Sequence, residues 1–522
     1  MDPPTWLRWT WTVPAVFLIA FLLIPLGWLA RQILTAETPD YLLSPLPWQI
    51  AALATVQAGV STVLALTIGL PMANVLTRYQ FPGRRWALAL ATVPFVLPTV
   101  VVALAFRALL GGTLGSGFVI VVLAHAYLNL AVVVRIVGAR WVTIDPRVEV
   151  VARTLGAGPW TAFRTATWPA LRSAIASAAA IVFVFSFTSL GVVLLIGDSS
   201  TRTLESLVLR QTSVLLDFQA AAASAVIQVI VVGSVLVWAA KQRVARRGGS
   251  ARPARPRITR GMTRWAVGTV VAVTVLVVLA PVLALVWASV RSSSGWTLSW
   301  WSGLFGSTTI DAGSTRIGSP LSAMTRSLTF ALTTGVVDAL VGGLAAVSVL
   351  TGRIGRAFAI ATALPLGISA ATLGLGTLLA YGRPPLDLRT TGLLVPIAHA
   401  LIAVPLVVAV ATPTLRAADP RLVTVAATLG ASRTRAWWTG YGPALRTVMI
   451  AAGGLACAVS LGEFGAASFL ARADGPTVPL VIARLLGRPG EASFGVAAAL
   501  AVVLVVMTTA LVAAVDRGGR RT

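Results

Sequence analysis

Five stretches of the chain, Val13–Ala30, Trp86–Ala105, Ile175–Ile196, Val267–Val290 and Val496–Val515, carry no charged side chain at all. A helix needs about 20 residues to cross a hydrocarbon core about 30 Å thick, so each is long enough to span a membrane. Polar breaks between apolar runs predict twelve spans: 12–31, 50–77, 86–110, 117–141, 173–197 and 219–241, then 265–290, 321–351, 354–381, 391–415, 447–471 and 491–515. The first follows Arg8, is long for a signal peptide and lacks a cleavage site, so it reads as a retained anchor helix.

Composition agrees with this pattern. Of 522 residues, 57% are hydrophobic and 11% charged, too little charge to cover the surface of a water-soluble domain of that size. The net charge of +25 raises the question of nucleic acid, because basic chains attract phosphate. With the N-terminus threaded in the cytoplasm, however, most Lys and Arg fall on cytoplasmic segments, which is the positive-inside bias. No interleaving of aromatic and basic residues suggests base stacking, and no nucleic-acid partner is expected. The single cysteine, Cys457, excludes an internal disulfide and argues against a thiolate metal site. No cofactor is expected. Phosphate-binding and hydrolase motifs are lacking, so the chain is not expected to be an enzyme or to hydrolyse ATP by itself.

The strongest internal signal is a repeat. A shift of 274 residues lays Asp145–Arg172 over Asp419–Arg446 without a gap, with 15 of 28 positions identical. The same shift pairs His125 with His399, Ser186 with Ser460 and Ser189 with Glu463. The fold class that follows is an all-α polytopic membrane protein, about 12 transmembrane helices in two tandem parallel-repeat halves. The halves are expected at 1–242 and 264–522, joined at 243–263 by a basic cytoplasmic linker suited to anionic lipid.

Within each repeated loop, Asp145 or Asp419 precedes a proline, the signature of a capped helix start. Gly156 or Gly430 permits a left-handed turn, and Pro169 or Pro443, thirteen residues later, is expected to begin the next helix. The predicted object is a short helix–turn–helix at the cytoplasmic membrane surface.

These loops, with Ala152 and Ala426 before the glycines, resemble the coupling loops of permease subunits of binding-protein-dependent ATP-binding-cassette importers. Their signature is Glu-Ala-Ala, three residues, Gly, nine residues, Ile, one residue, Leu-Pro. The glutamate position holds Val150 and Thr424, the second position Val151 and Val425, and Trp168 and Gly442 replace the leucine; Glu149 is one place out of register. Two fused halves look most like the ferric-iron and thiamine branch: the Gly-Glu-Phe-Gly string within Ser460–Ala466 occurs in both types, and Phe185–Leu190 with Thr203-Leu204-Glu205 is similar to thiamine permeases. The resemblance implies a permease that forms a pathway for a small solute, ferric iron or thiamine. It also implies an ATPase dimer on the two cytoplasmic loops, an extracytoplasmic substrate-binding protein, and a bacterial cell membrane with both termini cytoplasmic.

Polar residues inside the spans are candidates for the pathway: Ser186 and Ser189 in the first half, Ser460 and Glu463 in the second. Residues three apart share a helix face. An intramembrane carboxylate must face a cavity or a partner, so Glu463 is either a counter-charge for a cationic solute or a hydrogen-bonded structural group. Buried polar contacts are expected for Asp338 and Arg107, and cross-helix hydrogen bonds for His125 and His399, which lack the companions of a metal site. The rival readings are an ion-gradient-driven secondary transporter, which needs no matched cytoplasmic loops, and a polytopic membrane enzyme.

Overall fold

The computed structural model describes residues 4–34, 38–242, 262–305, 319–382, 386–472 and 474–521, so that most of the expected linker lies outside the described residues. Among them, ten helices are long and apolar enough to cross a membrane: Thr5–Ile33, Pro45–Arg78, Phe118–Trp141, Pro159–Phe187, Phe218–Lys241, Arg264–Ala288, Pro320–Ser348, Leu394–Ala417, Arg433–Gly462 and Glu491–Ala514. The described strands are one hairpin pairing Arg291–Ser292 with Gly295–Trp296.

The expected third and ninth spans are bent. Arg84–Val96 meets Thr99–Leu114 at 104°, and Arg353–Gly367 meets Ala370–Tyr381 at 102°. In the first pair Leu97 is extended ahead of Pro98, the conformation proline imposes on the residue before it. In the second, Ile368 is extended and Ser369 restarts the helix by accepting the Thr372 N–H at 3.1 Å.

The chain packs as two compact units whose membership crosses the sequence repeat. One comprises Met1–Ser44, Glu205–Val229 and Ser289–Thr522; the other comprises Pro45–Leu204 and Ile230–Ala288. In the first unit Phe17, Leu18 and Leu22 of the opening helix pack with Val341, Leu373, Leu401 and Val404. In the second, Val270, Val271 and Val277 pack against Met72, Leu76, Leu130 and Val134. Each unit thus includes a spanning helix from the other sequence half, Thr5–Ile33 in the first and Arg264–Ala288 in the second.

Helices inside each unit cross closely because glycine allows it. A Cβ at Gly69 would collide with Val133, and one at Gly342 with Val407, the small-residue contact by which membrane helices bring their backbones together.

Candidate functional site

The two repeated loops fold alike. Asp145 Oδ1 accepts the Arg147 N–H at 2.9 Å and starts the helix Pro146–Thr154; Asp419 Oδ1 accepts the Arg421 N–H at 2.9 Å ahead of Arg421–Thr428. At the far end the Ala157 N–H reaches the Ala152 carbonyl at 3.1 Å and the Gly156 N–H reaches that of Arg153 at 3.0 Å. The second loop repeats this with Ala431 on Ala426 and Gly430 on Ala427, both at 3.0 Å. This double closure is the Schellman motif, which needs a left-handed residue just past the helix. Gly156 and Gly430 supply it with φ of +87° and +85°.

One of the two prolines departs from expectation. Pro169 does stand in the first turn of Trp168–Phe187, after a π turn over Phe163–Thr167. Pro443, by contrast, lies inside the unbroken helix Arg433–Gly462. The expected pair of short helices is therefore a single short helix followed by one that runs on into the span. In the first half the widened turn accommodates the missing N–H of proline; in the second the helix passes through it, as membrane helices tolerate.

The halves brace the short helix differently. In the first, Glu149 pairs with Arg78 at 2.9 Å and with Arg153 at 3.5 Å. The matching residue in the second is Val423, which packs on Gly440. The out-of-register acid thus serves an internal ion pair.

Opposite these braces, each short helix presents an exposed apolar stripe. Val148, Val151 and Leu155 match Leu422, Val425 and Leu429 across the repeat, and the two leucines are each 82% exposed. Positions i, i+3 and i+7 form one helical face. The stripe's spacing is visible in both copies of the sequence, beside the turn residues expected there.

The four candidate pathway residues fall at two breaks. Trp168–Phe187 is followed by Leu190–Ile196 with Ser189 between them, and Arg433–Gly462 by Gly465–Leu470 with Glu463 between them. Glu463 is buried. Its Oε1 accepts the Ala466 N–H at 3.0 Å, its Oε2 accepts the Ala467 N–H at 3.1 Å, and His399 Nε2 lies 3.1 Å from Oε2. His399 Nδ1 is 2.8 Å from Ser460 Oγ, which also accepts from the Thr334 hydroxyl at 3.2 Å. The structure therefore joins Ser460 and Glu463 in one network. In the other unit Ser186 Oγ accepts from Asn129 Nδ2 at 3.3 Å, and His125 Nδ1 meets Gln57 Nε2 on a neighbouring helix. Both histidines thus make cross-helix contacts.

Asp338 is fully buried, and neither carboxylate oxygen has a hydrogen-bond partner among the described residues, contrary to the polar contact expected for it. Arg107 is exposed. A further acid was missed: Glu205, buried in the short helix Leu204–Ser213, accepts from Gln228 Nε2 at 3.1 Å. Burial pushes its carboxyl up to about 8, against the lowering effect of hydrogen bonds from Ser369 and Gln228. Its partners come from distant segments, so the sequence carried no local sign of its burial.

This architecture, two matched surface helices on a repeated bundle of spans, can be compared with known proteins. The family model described as binding-protein-dependent transport system inner membrane component matches residues 65–249. The sulfate transport system permease protein of Escherichia coli (strain K12) is 30% identical over 238 residues, 42% of this chain and 86% of that one. The chain belongs to this permease family. The molybdenum transport system permease protein of Mycobacterium bovis is 33% identical over 221 residues, 39% of this permease and 83% of the relative. The thiamine transport system permease protein of Salmonella typhimurium is 29% identical over 200 residues, 35% of this permease and 37% of that chain. As an importer permease, the protein is a multi-pass membrane subunit and no enzyme; ATP hydrolysis belongs to a separate subunit.

Proposed function

We propose that this permease carries thiamine into a bacterial cell, driven by an ATP-binding-cassette dimer that docks on the helices Pro146–Thr154 and Arg421–Thr428. The carrying observation is the duplicated stripe: Val148, Val151 and Leu155 in one half and Leu422, Val425 and Leu429 in the other stand exposed on helices closed by the same glycine turn. Paired apolar faces on a surface helix suit a groove on a soluble partner. Two such faces suit a dimer, with one protomer to each, and ATP-driven closure of that dimer would swing both helices together.

Chain length supports the solute. The matched 200 residues are nearly the same share of this permease, 35%, and of the thiamine relative, 37%, so the two chains are about equally long. The sulfate relative is matched over 86% of its length by 42% of this chain, as a single half would be. An extracytoplasmic binding protein would deliver the solute, and lipid surrounds the spans. Ser186, Ser189, Ser460 and Glu463 are proposed to border the pathway at the two helix breaks, where interrupted spans bring polar groups into a bundle. There Glu463 holds the break in shape, since both its oxygens are engaged.

Copurification tests the reading directly. An ATPase dimer should come down with the permease, and the complex with its binding protein should take up labelled thiamine in preference to sulfate or molybdate. Uptake by the permease alone under an ion gradient would overturn the ATP-driven assignment, and preferential sulfate uptake would overturn the solute. Both termini are proposed to be cytoplasmic. Reporters fused after Arg172, Arg260 and Arg446 should read cytoplasmic and those after Asp217, Trp301 and Arg488 extracytoplasmic; one firmly inverted site breaks the parallel arrangement of the halves.

A further inference from the structure

Glu205, Gln228, Ser369, His399 and Glu463 belong to one packing unit, although the first two come from the first half of the sequence. Glu205 Oε1 accepts from Gln228 Nε2 at 3.1 Å, and the carboxyl is also hydrogen-bonded to Ser369. Ser369 is the residue that restarts the helix Ala370–Tyr381 after the bend; its Oγ accepts the Thr372 N–H and lies 3.0 Å from Thr372 Oγ1. The break between Arg433–Gly462 and Gly465–Leu470 packs on that restart. A Cβ at Gly465 would lie 3.0 Å from Ala370 Cβ, 3.2 Å from Glu463 Oε1 and 3.3 Å from the Ala371 nitrogen. Two interrupted spans thus meet beside two buried acids, Glu205 at 1% exposure and Glu463 at 8%.

The two acids are provided for differently. Glu463 has a backbone N–H on each oxygen and an imidazole nitrogen at 3.1 Å. Glu205 has an amide and a hydroxyl, and takes part in none of the ion pairs among the described residues. Burying a carboxylate that no cation faces is costly, and a second negative charge nearby adds to the cost. Burial first, and then the charge of Glu463, hold the proton on Glu205 up to about pH 8.

We propose that Glu205 is a proton-held joint: its neutral carboxyl lets the helix Leu204–Ser213 rest on the restart at Ser369 beside Glu463, and loss of that proton to solvent drives the contact apart. The titratable groups around the joint are Glu463 and, against Glu463, His399, whereas Gln228, Ser369 and Thr372 carry no charge. Since the joint ties a helix from the first half of the sequence to interrupted spans of the second, its release loosens the halves from each other where both spans are broken. It does not depend on which solute is carried.

The test follows the unfolding temperature of the full-length permease in lipid nanodiscs from about pH 5.5 to 9.5, for the wild type and for Glu205→Gln, which keeps the shape and the hydrogen-bonding capacity but has no proton to lose. The folded wild type holds its proton up to about pH 8, whereas the unfolded chain loses it in the ordinary carboxyl range. The wild type should therefore lose stability against the variant as pH rises through that interval and level off above it. A glutamate with a merely structural role gives a difference that does not change with pH, and that result would overturn the joint. Should Glu205→Gln fail to fold, Ser369→Ala decides: it removes a hydrogen bond that favours the ionised carboxylate, so the levelling point should move up by about one pH unit. An unmoved point would equally overturn the assignment. In the assembled complex, the ratio of Glu205→Gln uptake to wild-type uptake should rise about tenfold from pH 7 to pH 9, the factor by which the protonated fraction falls. The ratio cancels the pH response of the ATPase and the binding protein, and a constant ratio would overturn control of uptake by the joint.

Discussion

Valine at both Gly156 and Gly430 should leave a folded, membrane-inserted permease that recovers about a tenth as much ATPase on copurification, a loss of about 1.4 kcal/mol in association. A Cβ at either position meets nothing within 4 Å, so the substitution produces no clash. What it disturbs is the backbone: with φ at +87° and +85°, an ordinary L-residue costs roughly 1–2 kcal/mol, and a β-branched one fits worst. Relaxing that strain unwinds the Schellman turn and redirects the exposed stripe that precedes it. Asparagine, which visits the left-handed region more readily, should retain more ATPase than valine. That order of Gly, Asn and Val separates a backbone effect from loss of a side-chain contact. Normal ATPase recovery and normal transport in the double valine variant would remove these turns from the coupling surface.

Glu463→Gln should lower stability by about 2 kcal/mol and reduce uptake in step with it. The carboxylate accepts from two backbone N–H groups, one on each oxygen. Glutamine keeps the shape but offers one carbonyl oxygen, so its NH2 group is turned toward a donor and one N–H loses its partner. Denaturation of the purified permease and uptake by the assembled complex should be measured together. If uptake collapses while stability is unchanged, Glu463 acts on the solute as a counter-charge and its helix-capping role is secondary.

Local chemistry explains which parts were legible beforehand. An Asp N-cap and a glycine in a left-handed turn are decided within a few residues, so the helices after Asp145 and Asp419, and their closure at Gly156 and Gly430, could be read from spacing alone. Apolar length marked the spans, but an unbroken apolar run hides a bend, and Pro98 sits within one. Pro169 and Pro443 share the motif Pro-Ala-Leu-Arg and still behave differently, because what precedes them and how the helix packs are not set by that motif. The polar centre was only half visible. Ser460 and Glu463 could be placed on one face, but His399 as their partner, the pairing of Arg78 with Glu149 and the burial of Glu205 all depend on which helices become neighbours.

The exchange of helices between the sequence halves in the two packing units has a consequence for the order of synthesis. Leu22 leaves the ribosome long before Val341, its partner in the core. At about 5–20 residues per second the interval is roughly 15–60 s. Throughout that time the opening helix has only lipid and early neighbours to cover its apolar face, and its final docking must be among the last events of assembly. The slow step in maturation is then the capture of a helix already waiting in the bilayer, and a chain released before its second half is complete would leave that helix without its final partners.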